Sequence, residues 1–224
     1  MAHGPAVKFD QPKEFKFSKE NMKVVEQHIA KYPKGRQQSA VMPLLMLAQD
    51  QHDGWIPEAA MEEIARLLDM PRIKVFEVAT FYTMYNLSPK GKHHLQFCTT
   101  TPCWLAGSGD VVKACEKHLG IKLGETTKDG LFTMSEVECL GACVNAPVVQ
   151  RNGDDFYEDL NSENIVTVLD DLKAGKMPKH GSQTGRLCSL GVEGATVLAD
   201  IAKKTGNKIA ESAEAKPKSK GKKK

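Results

Sequence analysis

Two closely spaced cysteine pairs, Cys98 with Cys103 and Cys139 with Cys143, constrain this 224-residue chain more than any other feature. The residues inside the pairs are small or turn-forming, Thr99-Thr100-Thr101-Pro102 in the first and Leu140-Gly141-Ala142 in the second. Such segments can fold into loops whose thiolates converge. Two loops brought face to face supply a four-sulfur site for a soft metal, either iron–sulfur or zinc. The fold therefore has to deliver both pairs to one place.

No apolar run approaches the roughly eighteen residues of a membrane span, and the opening Met1-Ala2-His3-Gly4-Pro5 lacks a hydrophobic signal region. An intracellular protein is the expectation, and in a reducing compartment clustered cysteines bind metal or do redox chemistry more often than they form disulfides. Chance burial as small apolar residues fits poorly with flanking Thr, Pro, Gly and Ala. A thiol oxidoreductase would carry Cys-x-x-Cys, which is absent, and a Rieske centre would need histidines in place of two thiolates. Zinc and iron–sulfur remain. Structural zinc accepts these spacings, whereas Gly141, Ala142, Thr99 and Thr100 leave backbone N–H groups accessible to the sulfurs of a charged two-iron cluster and tilt the choice that way.

The net charge of +3 is misleading, because Ser212 to Lys224 holds six lysines and one glutamate, which leaves the rest of the chain at −2. Any argument for an anionic partner applies to that tail alone.

Ser18 is placed to cap a first helix running to about Lys31, with Val24, Val25, His28 and Ile29 at helical spacing. After the break at Tyr32-Pro33-Lys34-Gly35, Val41, Leu44, Leu45 and Ala48 mark one face of a second helix. Asp53-Gly54 ends it. Trp55-Ile56-Pro57 opens a third helix with proline in its first turn and a stripe of Ala60, Ile64, Leu67 and Leu68. Met70-Pro71 opens a fourth, through Val75, Phe76 and Ala79 towards Tyr82, with Phe76, Phe81, Tyr82 and Tyr85 read as core aromatics.

Beyond the loop 86–92 the texture changes. His94 to Phe97 reads as a strand delivering Cys98, Asp110 to Leu119 as a helix, and Phe132 to Val137 as a strand delivering Cys139. Val148 to Arg151 and Phe156 to Glu158, joined at Asn152-Gly153, read as a hairpin. Asn161 is placed to cap a last helix bearing Ile165, Val168, Leu169 and Leu172. This order describes an α+β chain: an N-terminal small helical bundle, then a thioredoxin-like sheet with packed helices and a disordered Lys-rich C-terminal tail. The expected divisions are an arm (1–17), a helical domain (18–88), the thioredoxin-like domain (89–180), a C-terminal extension (181–211), with an Ala-rich helical piece from Ala195 to Lys204, and the basic tail (212–224).

Several segments carry a family resemblance. Tyr32-Pro33-x-Gly35-Arg36-Gln37-Gln38-Ser39-Ala40, Ala48-Gln49-x-x-x-x-Gly54-Trp55, Glu77-Val78-Ala79-Thr80-Phe81-Tyr82, Thr99 to Cys103, Glu138-Cys139-Leu140-Gly141-Ala142-Cys143-x-Asn145-Ala146-Pro147 and Tyr157-Glu158-Asp159-Leu160 together resemble the small [2Fe–2S] ferredoxin-like subunit of respiratory NADH:quinone oxidoreductase (complex I). Related subunits serve NAD-linked hydrogenases and formate dehydrogenases, which are the alternative setting. A zinc-stabilised, non-redox interaction module is the alternative of a different class.

The resemblance implies that Cys98, Cys103, Cys139 and Cys143 ligate one [2Fe–2S] cluster exchanging one electron with FMN. FMN and NADH would belong to a neighbouring flavoprotein subunit, and this chain has no Gly-rich nucleotide fingerprint of its own. An iron–sulfur-rich large subunit of the peripheral arm would be a second partner, with the membrane arm reached indirectly and no nucleic acid expected. The implied location is peripheral, on the cytoplasmic side of a bacterial inner membrane or the matrix side of a mitochondrial one.

Other residues receive plainer readings. Cys115 and Cys188 are expected to be ordinary thiols, His93 and His94 adjacent surface histidines, and Trp104 a shield excluding water from the ligands. Thr101-Pro102 is expected to fix the first loop, and Arg36 to Ser39 to contact the partner.

Overall fold

The computed structural model of the chain describes residues 9–186. The Ala-rich helical piece, Cys188, the basic tail and the first part of the arm lie outside the described residues. The described residues up to Gln183 belong to one compact unit.

Ser18 caps α1 (Lys19–Ala30), its hydroxyl accepting the Asn21 N–H at 3.1 Å. The cap is tied to α2 (Val41–Gln51), because Gln51 Oε1 accepts from both Ser18 N and Asn21 Nδ2. On α2 the expected stripe of Val41, Leu44, Leu45 and Ala48 is buried. The chain reverses through Asp53 and Gly54, both at positive φ. Pro57 stands immediately before α3 (Glu58–Leu67), one residue earlier than a first-turn position. There its fixed φ and missing N–H cost the helix nothing. Pro71 does the same for α4 (Arg72–Phe81). Gln49 is the polar group inside this core. Its Nε2 donates to Met84 O at 3.2 Å and its Oε1 accepts from Asn86 N at 2.7 Å, fixing the turn that leaves α4.

The structure corrects the reading of four core aromatics. Tyr85 is buried and Phe76 partly so, but Phe81 is 76% and Tyr82 40% exposed. The buried face of α4 is set by Val75 and Ala79, four residues apart. Phe81 stands two residues further on, about 200° around the helix. Tyr82 has already left helical geometry, at φ −90° and ψ 116°.

The second half builds a five-stranded sheet in the order β2-β1-β3-β4-β5. Strand β1 (His93–Cys98) runs parallel to β2 (Phe132–Val137) and antiparallel to β3 (Val149–Arg151). The hairpin of β3 with β4 (Asp155–Glu158) turns at Asn152 and Gly153, whose φ values of +53° and +85° are those an Asn-Gly hairpin turn requires. Side chains alternate across β1. Leu95 and Phe97 join α6 (Ser108–Leu119) and α7 (Asn164–Lys173) in one apolar core with Phe132, Met134 and Tyr157. Cys98, on the other face, packs with Cys103 and Val148 in a separate small cluster. Asn161 caps α7 as expected, its Oδ1 accepting from Glu163 N and Asn164 N.

Three further readings change. His93 and His94 are 3% and 7% exposed rather than on the surface, because β1 is an inner strand. His93 Nδ1 meets Arg151 at 3.2 Å, and that guanidinium pairs with Asp155. The run Thr101–Leu105, read as loop, is a short helix, α5. A two-residue edge strand, β5 (Gly181–Ser182), runs parallel to β4, held by Ser182 Oγ on Asp159 and by Gln183 N on Glu158 O.

Candidate metal centre

Parallel pairing of β1 with β2 brings the two cysteine segments out of the same end of the sheet. Cys98 is the last residue of β1 and stands opposite Val137, two residues before Cys139. From Cys98 the chain turns through Thr99 and Thr100 into α5, whose third residue is Cys103. The Thr99 hydroxyl bonds to Glu136 of β2 and so holds the first turn against the neighbouring strand.

The four sulfurs lie as two pairs. Cys98 and Cys103 are buried and hydrogen-bonded to each other. Cys139 and Cys143 are exposed, with their sulfurs 3.4 Å apart. The pairs are close enough that charge on Cys143 acts on Cys103, and charge on Cys98 acts on Cys143. Among the described residues no three His, Cys, Asp or Glu side chains gather as a ligand set for a single ion. A pair of thiolates for each of two irons is the donor set of a [2Fe–2S] cluster, so the arrangement fits that group.

Backbone donors point at the sulfurs. Gly141 N–H reaches Cys139 Sγ at 3.4 Å, from a left-handed conformation (φ +80°) that a side chain would disfavour. The Leu140 N–H bonds to Cys98, and the Val148 N–H to Cys103. Such bonds stabilise negative charge on sulfur.

Burial pushes the Cys98 thiol up, but donors from Thr100, Cys103 and Leu140 outweigh it and leave the thiol below its ordinary value. Cys103 is pushed up to about 12, by burial first and then by Cys98, with the Val148 N–H opposing. The Cys143 thiol is raised chiefly by its bond with Cys139. The lowered thiol makes Cys98 the natural first thiolate of the buried pair, and a metal cation would be needed to deprotonate Cys103 near neutral pH.

Trp104 is 66% exposed, with Leu105 at 73% and Val144 at 55%. Trp104 is therefore no shield within this chain: Cys103 faces inward on α5, and its neighbour is turned about 100° away. Cys115 is fully buried in the α6 core, and burial pushes its thiol up to about 12, as befits a non-ligand. Asn145 and Glu158 brace the second loop. Both stand in the quoted motifs, yet nothing in their spacing shows that they meet.

A model of the thioredoxin-like [2Fe–2S] ferredoxin family matches residues 25–173. The chain belongs to that family. Its cofactor is accordingly a [2Fe–2S] cluster, and the expected mixed fold and family resemblance are both borne out. It is 57% identical over 159 residues to the E-type subunit of NADH-quinone oxidoreductase of Rickettsia conorii, covering 71% of this chain and 95% of that one. It is 51% identical over 184 residues to the mitochondrial NADH dehydrogenase [ubiquinone] flavoprotein 2 of Dictyostelium discoideum, covering 82% of this chain and 74% of that protein. Among solved structures, an NAD+-reducing [NiFe]-hydrogenase in the H2-reduced state matches with a TM-score of 0.53 at 20% identity, over 61% of this chain and 23% of that one. That likeness is one of fold.

Proposed function

We propose that this protein is an electron-transfer subunit of an NADH-quinone oxidoreductase, and that it exchanges one electron with FMN held by a neighbouring flavoprotein. Cys98, Cys103, Cys139 and Cys143 are the ligands in this reading. The observation that carries it is the meeting of two thiol pairs at one end of the sheet, with Leu140, Gly141 and Val148 N–H groups directed at them. The relatives named as subunits of NADH-quinone oxidoreductase supply the setting.

When bound, a [2Fe–2S] cluster supplies a one-electron redox centre of low potential, adjusted by hydrogen bonds to sulfur, burial and charge. The chain's own residues do the rest. The β1 and β2 ends hold the two pairs in register, Val148 and Phe156 pack against the buried pair, and the exposed Trp104, Leu105 and Val144 offer apolar surface for the flavoprotein to cover. The flavoprotein would hold FMN and bind NADH, and an iron–sulfur-rich large subunit would be the second neighbour. Among the described residues no helix is long and apolar enough to cross a membrane, which agrees with attachment through partners. We place the protein on the cytoplasmic side of a bacterial inner membrane, or on the matrix side in a mitochondrion.

Freeze-quench electron paramagnetic resonance tests the reading. The full chain, mixed with its flavoprotein partner and NADH, is expected to show a reduced two-iron signal within one turnover, and to show none when the partner is omitted. An active pair that leaves this chain oxidised while FMN is reduced would overturn it.

A further inference from the structure

Thr100 is the residue immediately before α5, with φ −69° and ψ 168°. A threonine in that place ordinarily turns its oxygen onto the N–H of the second or third helical residue. Pro102, the second residue of α5, has no N–H to offer. Among the described residues the Thr100 hydroxyl makes no bond to the helix; it lies 3.2 Å from Cys98 Sγ. The first bond of the helix is a main-chain one, Thr100 O accepting the Trp104 N–H at 2.9 Å. A side chain suited to capping is thus directed at a sulfur.

Resting on the assignment of Cys98 as a cluster ligand, we propose that Thr100 is a positioning and tuning residue, whose hydroxyl donates to the Cys98 thiolate and raises the reduction potential of the centre. A metal-bound thiolate has no proton to give, so the hydroxyl must be the donor. Its single O–H draws negative charge from the sulfur. The reduced centre carries one more negative charge than the oxidised one, so the bond favours the reduced form. Cys98 is 2% exposed, and water therefore competes little for this contact. The donors on the sulfurs from Leu140, Gly141 and Val148 are main-chain groups. At Thr100, by contrast, one substitution removes a donor and leaves the peptide bonds in place.

The test is a redox titration followed by electron paramagnetic resonance on the full chain carrying its cluster, with iron and sulfide assayed for each variant. Thr100→Val is nearly isosteric and lacks the hydroxyl, Thr100→Ala removes it with less bulk should the valine variant fail to assemble, and Thr100→Ser keeps it. Loss of the hydroxyl is expected to lower the reduced-to-oxidised ratio at a fixed potential about tenfold, a negative shift of about 59 mV for one electron, while Thr100→Ser stays within about twofold. A valine or alanine variant with its full iron and sulfide and an unaltered midpoint overturns the role of Thr100 and leaves the ligand assignment standing. A wild-type chain without a two-iron centre overturns the ligand assignment itself.

Discussion

Asn145 donates from Nδ2 to Glu158 Oε2 at 2.7 Å, fastening the loop of Cys139 and Cys143 to the end of β4. The main chain repeats the link, with Asp159 N–H bonded to Asn145 O at 2.7 Å. Asn145 is 1% exposed, whereas the two cysteines before it are exposed. The brace therefore anchors the buried end of the loop, while Leu140 and Ala142 pack against the buried cysteine pair. Asn145→Ala is expected to cost about 2 kcal/mol, the scale of a hydrogen bond to a charged group, and to hasten loss of visible absorption under a chelator. Urea denaturation and the absorption decay check it; wild-type values in both would contradict the brace.

Gln49 makes a second prediction, in the helical half. Its amide satisfies the Met84 carbonyl and the Asn86 N–H at once. Gln49→Leu keeps the apolar bulk but leaves both backbone groups without that partner, and is expected to destabilise the chain by about 2 to 3 kcal/mol in urea unfolding. A change below roughly 0.5 kcal/mol, the range of surface substitutions, would show that the turn re-forms without it.

The pH dependence of stability follows from His94. Burial and then the charge of Lys90 lower its pKa from 6.5 to about 4, and its Nε2 lies 2.7 Å from Ser135 Oγ. With the folded value below the unfolded one, the neutral ring's contribution is intact above pH 6.5 and is lost as the pH falls towards 4. Between pH 7 and pH 5 this amounts to about 2 kcal/mol. His93 acts in the same direction, lowered by burial first and then by Arg151 and Lys92. Urea titrations at both pH values, wild type against His94→Gln, isolate the contribution. Equal pH slopes for the two proteins would contradict it.

Legibility in the sequence follows the range of the interaction. The stripe Val41, Leu44, Leu45 and Ala48 is readable because a helix face is fixed by spacing alone. The Asn152-Gly153 turn is readable because its backbone angles demand those residues. The His93-His94 doublet misleads because its burial comes from neighbours distant in the chain, among them Phe132, Ser135 and Arg151. Thr-Thr-Thr-Pro looks like loop, yet its last two residues start α5 around Cys103. The two residues of β5 are too few to show alternation. At the candidate site the cysteines announce themselves, whereas Thr100, Leu140 and Val148 act through geometry that no spacing records.

Metal analysis of the anaerobically purified full chain decides whether the four cysteines hold one two-iron cluster. Iron, acid-labile sulfide and zinc would be measured on wild type, Cys139→Ser, Cys143→Ser and Cys115→Ala. About two irons and two sulfides per chain are expected in wild type and in Cys115→Ala, with loss or alteration of the reduced-state signal in the other two. A colourless wild-type chain holding about one zinc, or a cluster that survives unchanged without Cys139 and Cys143, would contradict it.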